Sequence, residues 1–317
     1  MTTHTKKAVL LLNLGGPEKI EDIRPFLYNL FSDRQIIRLG PSFLQKPIAA
    51  FIAWRRAPKS ALNYRKIGGG SPLRKITDQQ SAALEQALAQ DGNFTVRSCM
   101  RYWHPFANMV LTQLVAEGVK EIIALPLYPH YSIATSGSAF FDLDRTAKKL
   151  GLNLNITKIH SWPTQQHYIA SLATKIEEGF LSFAGEKVEL VYSAHSLPVR
   201  FIEEGDPYVD DLQKTIEALE QKTGRKGHLC YQSRSGPVEW LGPSTPETIE
   251  KLAQAKCKNL LIVPIAFVSD HVETLYELDI QYRKLAEDLG MQYKVTSGLN
   301  TGPLFIEGLR QLVLMES

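Results

Sequence analysis

Three features of the sequence predict an α/β protein with parallel sheets and two domains. Short runs rich in Leu, Ile and Val recur along the chain, and segments with helical periodicity lie between them. Strands that alternate with helices form parallel sheets whose two faces are both covered. The length of 317 residues corresponds to about two domains at roughly 150 residues each.

Eight apolar runs, bounded by Gly, Pro, Asn and Asp, are predicted strands. They comprise residues 8–12, 95–102, 121–127 and 153–159, followed by 189–193, 228–232, 259–264 and 292–296. Predicted helices include residues 78–90, 106–117, 165–180 and 209–223. Eight strands could close into one barrel, but segment 165–180 separates two groups of four, which favours two sheets.

A weak internal similarity also favours two groups. Residues 120–132, KEIIALPLYPHYS, resemble residues 258–270, KNLLIVPIAFVSD, with a buried strand and a Pro at the same place. The offset of 258 − 120 = 138 residues suggests a duplicated α/β unit, with chance similarity between buried strands as the alternative. We expect an N-terminal domain over residues 1–162 and a C-terminal domain over residues 163–302, with the last helix, residues 303–317, packed on the first.

Charge and composition exclude several classes of protein. The 36 basic and 33 acidic side chains leave a net charge of +3, too small to indicate a nucleic-acid partner. The three cysteines lack a metal-binding spacing and are expected to be buried and reduced. The sequence contains neither a secretory signal nor an apolar run long enough to span a membrane. It therefore predicts a cytoplasmic protein, with peripheral attachment to the inner face of the membrane left open.

A histidine follows the predicted strand at residues 189–193. In open parallel sheets, ligands bind at the carboxyl ends of the strands, and His195 lies at such an end. Imidazole can accept a proton or ligate a metal near neutral pH. A structural or solvent-facing histidine is the alternative interpretation.

Carboxylates follow the most apolar strand, at residues 259–264. A helix capped by Ser269 or Asp270 would begin there. Asp270, Glu273 and Glu277 would then share one face of that helix. With His195 they could ligate a divalent metal, or form a base with a proton-exit chain. A solvated acidic stripe is the alternative, and the lack of paired His or Cys ligands argues against permanently bound zinc.

Three further segments bear on the kind of ligand. The glycine run at residues 68–70 lacks the spacing of a nucleotide-binding loop, and the GxSxG motif of hydrolases is absent. Residues 36–54, IIRLGPSFLQKPIAAFIAW, indicate either a core helix or an apolar lip at a membrane surface. Aromatic residues follow the strands close to Arg101, an arrangement that suits a large flat ligand with acidic groups. They are Tyr102, Trp103, Tyr128, Tyr131 and Trp240.

Several long motifs, in a consistent order, extend over nearly the whole chain. Two of them, YSAHSLP at residues 192–198 with GDPY at 205–208, and FVSDHVETLYELD at 267–279, resemble the signature segments of the ferrochelatase family. Further similar segments are LLNLGGP at 11–17, IGGGSP at 67–72, RYWHP at 101–105, YPHYS at 128–132 and YQSRSGPVEWLGP at 231–243.

The resemblance implies insertion of ferrous iron into a porphyrin by two Rossmann-like domains, each a four-stranded parallel sheet flanked by helices. Iron is then a substrate, and no permanently bound cofactor is expected. His195 and Glu273 match the family's metal-site pair, in which the histidine also takes pyrrole protons. Asp270, His271 and Glu277 match the acidic path for metal or protons. In that family the segment at Glu273 is a π-helix.

The resemblance also implies substrate-binding residues. Arg56, Tyr64 and Ser71 match positions that hold a porphyrin propionate, and Arg101, Trp240 and Phe267 match pocket residues. Leu14 stands where some relatives carry Met or Tyr facing the macrocycle, and it favours protoporphyrin IX over coproporphyrin III. A related chelatase for cobalt or a more carboxylated tetrapyrrole, and a haem-binding protein without turnover, are the alternatives.

The end of the sequence bears on cofactors and assembly. The chain ends at Ser317, without the Cys-bearing extension that holds an iron–sulfur cluster in some relatives. We therefore expect no cluster and a monomer, since dimerisation through such an extension is not expected either.

Overall fold

The computed structural model describes residues 6–317. The chain divides into two compact units. The first comprises the chain up to Ser161 together with Ile306–Ser317, and the second comprises Trp162–Phe305. Each unit contains an open, four-stranded parallel sheet flanked by helices, which confirms the predicted fold class.

The first unit begins with a buried strand and alternates helices with strands. Its elements are β1 (Lys7–Asn13), α1 (Ile23–Ser32), α2 (Gln45–Lys66), α3 (Leu73–Leu88), β2 (Phe94–Met100), α4 (Ala107–Ala116), β3 (Glu121–Pro126), α5 (Ser138–Lys149) and β4 (Asn155–Lys158). Short 3-10 helices at Ile20–Asp22 and Ser42–Leu44 precede α1 and α2, and a π-helical turn at Ile133–Gly137 precedes α5. The strands pair in parallel in the order β2-β1-β3-β4.

The second unit has the same strand order. Its elements are α6 (Gln166–Leu181), β5 (Glu189–His195), α7 (Val199–Glu203), α8 (Tyr208–Thr223), β6 (Gly227–Gln232), α9 (Thr245–Gln254), β7 (Asn259–Pro264), α10 (Arg283–Asp288), β8 (Gln292–Val295) and α11 (Pro303–Met315). A π-helix at Glu273–Tyr282 leads into α10. The strands pair in parallel in the order β6-β5-β7-β8, and α11 belongs to the first unit from Ile306 onward.

Burial on both faces explains why the central strands are continuous apolar runs. All residues of β7 are buried, and so are those of β1 from Ala8 onward. In the first unit, Leu111 of α4 and Leu143 of α5 pack into the same cluster as Leu10 of β1. Each fully buried side chain of this size contributes roughly 1.5–3 kcal/mol. Covered faces leave only the sheet edges and strand ends for polar chemistry.

The predicted strands are confirmed, with changes at their ends. The strand expected at residues 95–102 ends at Met100. Beyond it the N–H groups of Arg101 and Tyr102 donate to the carbonyls of Asn13 and Leu14, each at 2.9 Å. The expected helix at residues 78–90 begins earlier, at Leu73. His195, expected just after its strand, is the last residue of β5.

The apolar segment at residues 36–54 is not one core helix. Gly40 has a φ of +112°, which favours glycine, and Pro41 follows it. The helix α2 begins only at Gln45. Phe51 and Trp54 on α2 are 56% and 58% exposed, so this part of the segment forms surface and not core. Within residues 6–317, no helix combines the length and apolar character needed to cross a bilayer.

Candidate active site

His195 and Glu273 are brought together at the carboxyl edge of the second sheet. His195 ends β5, and Glu273 begins the π-helix that follows the adjacent strand β7. The His195 Nδ1 lies 2.8 Å from Glu273 Oε2, with the two side chains 36% and 20% exposed. Because carboxylate oxygens only accept, Nδ1 carries the hydrogen, which leaves Nε2 as the nitrogen that can bind a metal or accept a proton.

The pKa values of His195 and Glu273 shift in opposite directions. Burial opposes a charge on His195, but the charge and the hydrogen bond of Glu273 outweigh it and raise the pKa of His195 above its usual 6.5. Burial likewise opposes ionisation of Glu273, but His195 and His271 outweigh it and lower the pKa of Glu273. The site therefore holds a carboxylate beside a basic imidazole.

Glu277 lies one π-helical turn after Glu273 and is linked to it by Ser233. The Ser233 hydroxyl donates to Glu273 Oε2 at 2.9 Å and also contacts Glu277 Oε2. The Ser233 N–H donates to Glu277 Oε1 at 3.0 Å, and the Tyr282 hydroxyl donates to the same oxygen at 2.7 Å. Burial and the neighbouring charge of Glu273 raise the pKa of Glu277. Glu277 is therefore the carboxylate of the two that takes up a proton more readily.

Two residues behind Glu273 were not identified from the sequence. Gln232 Nε2 donates to Glu273 Oε2 at 3.2 Å and accepts at Oε1 from the Ser193 hydroxyl at 2.6 Å. Ser233 has a φ of +67°, in the left-handed region that is uncommon for serine. Both residues follow the rule that selected His195, because Gln232 ends β6 and Ser233 comes directly after it. Applying that rule to every strand would have found them.

His271 is buried with one ring nitrogen left open. Its Nδ1 lies 3.1 Å from the Ser269 carbonyl, which can only accept, so Nδ1 carries the hydrogen. Among the described residues, its Nε2 has no hydrogen-bond partner, and it lies 3.9 Å from Glu273 Oε1. Burial lowers the pKa of His271, although Glu273 opposes the shift. His271 thus offers a neutral imidazole beside the Glu273 carboxylate.

Asp270 does not share a helical face with the two glutamates, so the expectation of one acidic face is wrong. The π-helix begins after Asp270, at Glu273. The Asp270 carboxylate instead accepts hydrogen bonds from Gly298, Asn300 and Thr274. A residue in the turn before a helix can bind neighbouring backbone and is not held to the helical spacing.

The two expected pocket residues of the second unit differ in their surroundings. The ring of Phe267 lies 4.2 Å from that of His271 and 6.3 Å from that of His195, both in edge contacts. The backbone of Trp240 pairs with Pro198 in the segment after β5. The Trp240 Nε1 is buried without a hydrogen-bond partner among the described residues. Phe267 therefore packs beside both imidazoles.

Arg101 and Tyr102 lie in the first unit within a closed polar network. Arg101 Nη2 donates to Asp33 Oδ2 at 2.7 Å, and Arg101 Nε donates to the Ser138 hydroxyl at 2.8 Å. The hydroxyls of Tyr102 and Ser138 donate to the same Asp33 oxygen at 2.7 and 2.6 Å. Burial alone would raise the pKa of Asp33, but Arg101 and these donors lower it. Tyr102 is only 1% exposed, which favours support of Arg101 over direct contact with a ligand.

Leu14 is the first residue after β1 and is half-buried. Its carbonyl accepts the N–H of Tyr102 at 2.9 Å. Two residues further on, a Cβ at Gly16 would lie 2.7 Å from the Ser71 Cβ, so only glycine allows this approach. The loop after β1 is thereby held against two other expected site residues, Tyr102 and Ser71.

The remaining expected propionate residues lie on α2. The Arg56 guanidinium lies over the Phe31 ring at 5.3 Å, and burial lowers its pKa. Tyr64 is 6% exposed, near the end of the helix. Ser71 follows α2 and donates its N–H to the Pro17 carbonyl at 2.7 Å. The structure therefore divides the expected residues: those for the metal lie in the second unit and those for a propionate in the first.

The number of potential metal ligands is small. Within residues 6–317 there is no group of three or more His, Cys, Asp or Glu side chains that could hold a metal ion. The paired His195 and Glu273 offer one nitrogen and one carboxylate.

Comparison with known proteins agrees with this chemistry. A family model described as Ferrochelatase matches residues 6–317. The ferrochelatase of Desulfotalea psychrophila is 58% identical over 309 residues, covering 98% of this chain and 97% of the relative. That of Geotalea uraniireducens is 50% identical over 311 residues, covering 97% of each.

Two solved structures share the fold. SirB from Bacillus subtilis with Fe3+ aligns with a TM-score of 0.54 at 13% identity, covering 98% of this chain and 95% of that one. CbiX, described as the terminal enzyme for biosynthesis of siroheme in denitrifying bacteria, aligns with a TM-score of 0.53 at 10% identity, covering 98% and 99%. The family match and the identity of its relatives show that this chain belongs to the ferrochelatase family of metal chelatases, which insert iron into a porphyrin.

Proposed function

We propose that this enzyme inserts Fe²⁺ into protoporphyrin IX to form protohaem, with His195 and Glu273 acting on the metal and the pyrrole protons. The observation that carries the proposal is the 2.8 Å contact between His195 Nδ1 and Glu273 Oε2. It leaves His195 Nε2 with a lone pair and a neighbouring negative charge. Such a nitrogen can either ligate a dication or accept a proton, and the reaction involves both.

Proton removal is assigned to His195. Metal insertion replaces two pyrrole N–H protons with one Fe²⁺, so two protons must leave the macrocycle for each iron that enters. Bending the macrocycle would expose nitrogen lone pairs on one face and N–H groups on the other. The raised pKa of His195 strengthens it as a proton acceptor, and Glu273 stabilises the imidazolium that results.

Departure of the protons is assigned to Glu277 by way of Ser233. The Ser233 hydroxyl contacts both Glu273 and Glu277, and a hydroxyl can accept one hydrogen while donating another. The raised pKa of Glu277 favours its protonated form over that of Glu273. Protons would then pass from the pair to Glu277 and on to solvent, which leaves Glu273 ionised for the next iron.

Fe²⁺ is treated as a substrate in this proposal, and no resident cofactor is invoked. One imidazole nitrogen and one carboxylate form a weak set of ligands compared with a closed tetrahedral site. Weak ligation allows the metal to leave for the four porphyrin nitrogens. His271 Nε2, at 3.9 Å from Glu273 Oε1, is a candidate to guide the metal toward this pair.

Roles in substrate binding are assigned to the residues that match the family's substrate positions. Arg56, Tyr64 and Ser71 are assigned to a propionate because a guanidinium and hydroxyls bind carboxylates. Trp240 and Phe267 are assigned to contact with the macrocycle. Arg101 is also assigned to substrate binding, and Tyr102 supports it. Leu14 cannot ligate metal, which favours protoporphyrin IX over coproporphyrin III. The two units are proposed to be the domains of residues 1–162, with the last helix, and 163–302.

The test is anaerobic metallation of protoporphyrin IX, followed by fluorescence, with Fe²⁺ and with Zn²⁺. The wild type should quench or shift the porphyrin emission, and His195→Ala should lower the rate at least about 100-fold because it removes the proton acceptor. Equal turnover of coproporphyrin III would contradict the assigned substrate. Porphyrin bound by both proteins and metallated by neither would contradict the proposed reaction.

We also propose that the enzyme is a cytoplasmic monomer that touches the inner membrane surface through residues 36–54. Phe43, Phe51 and Trp54 are 76%, 56% and 58% exposed and lie among basic residues. Replacing Phe51 and Trp54 with Ser should reduce co-sedimentation with anionic liposomes. The matched control is Leu181→Ser, which removes a side chain that is 79% exposed in the second unit. Unchanged sedimentation of the double variant would contradict the membrane contact.

A further inference from the structure

A reciprocal pair of side chains holds the turn that precedes the π-helix. The Asp270 N–H donates to Asn300 Oδ1 at 3.0 Å, and Asn300 Nδ2 donates back to Asp270 Oδ2 at 2.8 Å. The Asn300 N–H also donates to the Val268 carbonyl at 2.8 Å. Asn300 has a φ of +47°, a conformation that asparagine tolerates better than most residues. The segment after β8 is therefore joined to the segment after β7 by side chain and backbone together.

The other oxygen of the Asp270 carboxylate is also engaged. Its Oδ1 accepts from the Gly298 N–H at 3.0 Å and from the Thr274 hydroxyl at 3.2 Å. A Cβ at Gly298 would lie 2.9 Å from the Asp270 nitrogen and 3.1 Å from Oδ1, so this approach requires glycine. Thr274 is buried at 3% exposure, and its hydroxyl oxygen accepts the His271 N–H at 3.0 Å. The carboxylate thus contacts three donors and is one hydroxyl away from the backbone of His271.

We propose that Asp270 and Asn300 form a clamp that positions His271 and Glu273, and that the Asp270 carboxylate is not a station on the path of metal or protons. This rests on the proposed function, since the positioned groups are those assigned to the metal. The hydrogen bonds of Asp270 lead to Gly298, Asn300 and Thr274, whereas those of Glu273 lead to His195, Gln232 and Ser233. Asn300, which the sequence analysis did not select, becomes a positioning residue.

An exchange of the two side chains separates position from charge. In the Asp270→Asn, Asn300→Asp double variant, the new amide at 270 donates to the new carboxylate at 300. That carboxylate still accepts the N–H of residue 270, and the amide oxygen at 270 still accepts the N–H of Gly298. The hydrogen bonds between the two residues and the one from Gly298 are kept, while the charge moves from 270 to 300. If Asp270 only positions its neighbours, the double variant keeps that role. If its carboxylate passes metal or protons, the double variant loses that role.

The single variants disrupt the pair in opposite ways. Asp270→Asn turns an amide toward the Asn300 amide, and Asn300→Asp brings two carboxylates together. We expect kcat for iron insertion to fall about 10-fold in the first and further in the second, since partly buried donors or acceptors lose their partners. Porphyrin affinity, measured by quenching of tryptophan fluorescence, should stay within about threefold of wild type. The double variant should regain kcat to within about threefold, with the wild-type pH profile.

Two further variants complete the experiment: Gly298→Ala tests the position of Asp270, and Asp288→Asn is the control. The first displaces Asp270 without changing any charge and should lower kcat as Asp270→Asn does. The second removes a charge from an exposed residue of α10 whose carboxylate pairs with Lys284, and it should leave kcat unchanged.

The outcomes distinguish the clamp from the proposed function. A double variant that regains the melting temperature of wild type but stays as slow as Asp270→Asn would overturn the clamp, because the charge at 270 would then be required. Full activity of both single variants would overturn it as well. A wild type that never metallates porphyrin contradicts the proposed function alone, and recovery of the melting temperature by the exchange would still support the clamp.

Discussion

The two units share a framework and differ in how they use it. Both sheets have the same strand order, and in each unit a π-helical segment follows the third strand, β3 or β7, at Ile133–Gly137 and at Glu273–Tyr282. At this edge the first unit joins Asp33 to Arg101, and the second joins Glu273 to His195. The shared framework determines where polar side chains gather, and the residue types determine whether the cluster is structural or reactive.

The physical difference is whether the charges can change. A guanidinium stays protonated at every physiological pH, so Asp33 and Arg101 form a fixed pair. Three donors meet one oxygen of Asp33, which leaves the network closed. Imidazole, as in His195, can exchange protons near neutral pH, and burial together with the charge of Glu273 raises the pKa of the Glu277 carboxyl. The second unit is therefore the one in which we place the chemistry.

The largest expected effect comes from removing the negative charge of Glu273 beside His195. Glu273→Gln should lower kcat for iron insertion at least about 100-fold, since the amide keeps the shape but removes the charge that stabilises the imidazolium and the metal. Porphyrin affinity, from fluorescence titration, should change by less than about threefold. Loss of porphyrin binding would instead place Glu273 in the substrate pocket.

Disrupting the network of Asp33 and Arg101 should lower the stability of the protein more than its activity. Asp33→Asn removes the nearer of the two carboxylates that pair with the largely buried Arg101, the other being Asp142 at 3.6 Å, and should lower the free energy of unfolding by about 2 kcal/mol. The pKa of Asp33 is lowered in the folded protein, so its contribution is present at neutral pH and is lost as pH falls through that lowered value. Urea unfolding at pH 7 and at a pH well below 3.8, the usual pKa of this carboxyl, measures both effects. An equal loss for the control Asp144→Asn, at an exposed carboxylate, would contradict a special role for Asp33.

Ser233 provides a smaller and more specific test of the link between the two glutamates. Ser233→Ala removes the shared hydroxyl and should lower kcat about 10-fold. Ser233→Gly also removes it but relieves the backbone strain at a φ of +67°, so it should be as slow and more stable than the alanine variant by about 1 kcal/mol. Stopped-flow metallation and thermal unfolding separate the two effects. Wild-type rates in both variants would remove Ser233 from the proton path.

The smallest expected effect is a shift of the pH profile. His195 must be neutral to accept a proton, and its pKa is raised, so kcat/KM should fall on acidification through a value above the usual 6.5. In Glu273→Gln the residual activity should lose its acid limb at a lower pH, because the charge that raised the pKa is gone. Rates from pH 5.5 to 8.5 at constant ionic strength measure the limb. An unchanged position in the variant would show that another group titrates.

Local sequence determined the framework of this protein. Apolar runs bounded by turn residues predicted all eight strands described by the structure. The central strands β1 and β7 are almost wholly buried and apolar because both of their faces are covered, whereas the edge strands β4 and β8 are largely accessible. The separating helix at residues 165–180 predicted two groups of four, and the strand-end rule selected His195. The resemblance to the family motifs supplied the role proposed for Glu273. These features depend on residues close together in the chain, so the sequence alone could reveal them.

Tertiary structure decided which polar groups meet. The sequence suggests that Asp270, Glu273 and Glu277 lie on one face of a helix. In the structure the two glutamates contact Ser233. Asp270 instead accepts a hydrogen bond from Asn300, which is 30 residues away in the chain. Arg101 and Tyr102 look like pocket residues, yet Asp33 engages both across a separation of 68 and 69 residues. Hydrogen bonds depend on distances of about 3 Å between atoms. No local pattern specifies such distances between segments that only packing brings together, so the structure was needed to separate the clamp and the closed network from the reactive pair.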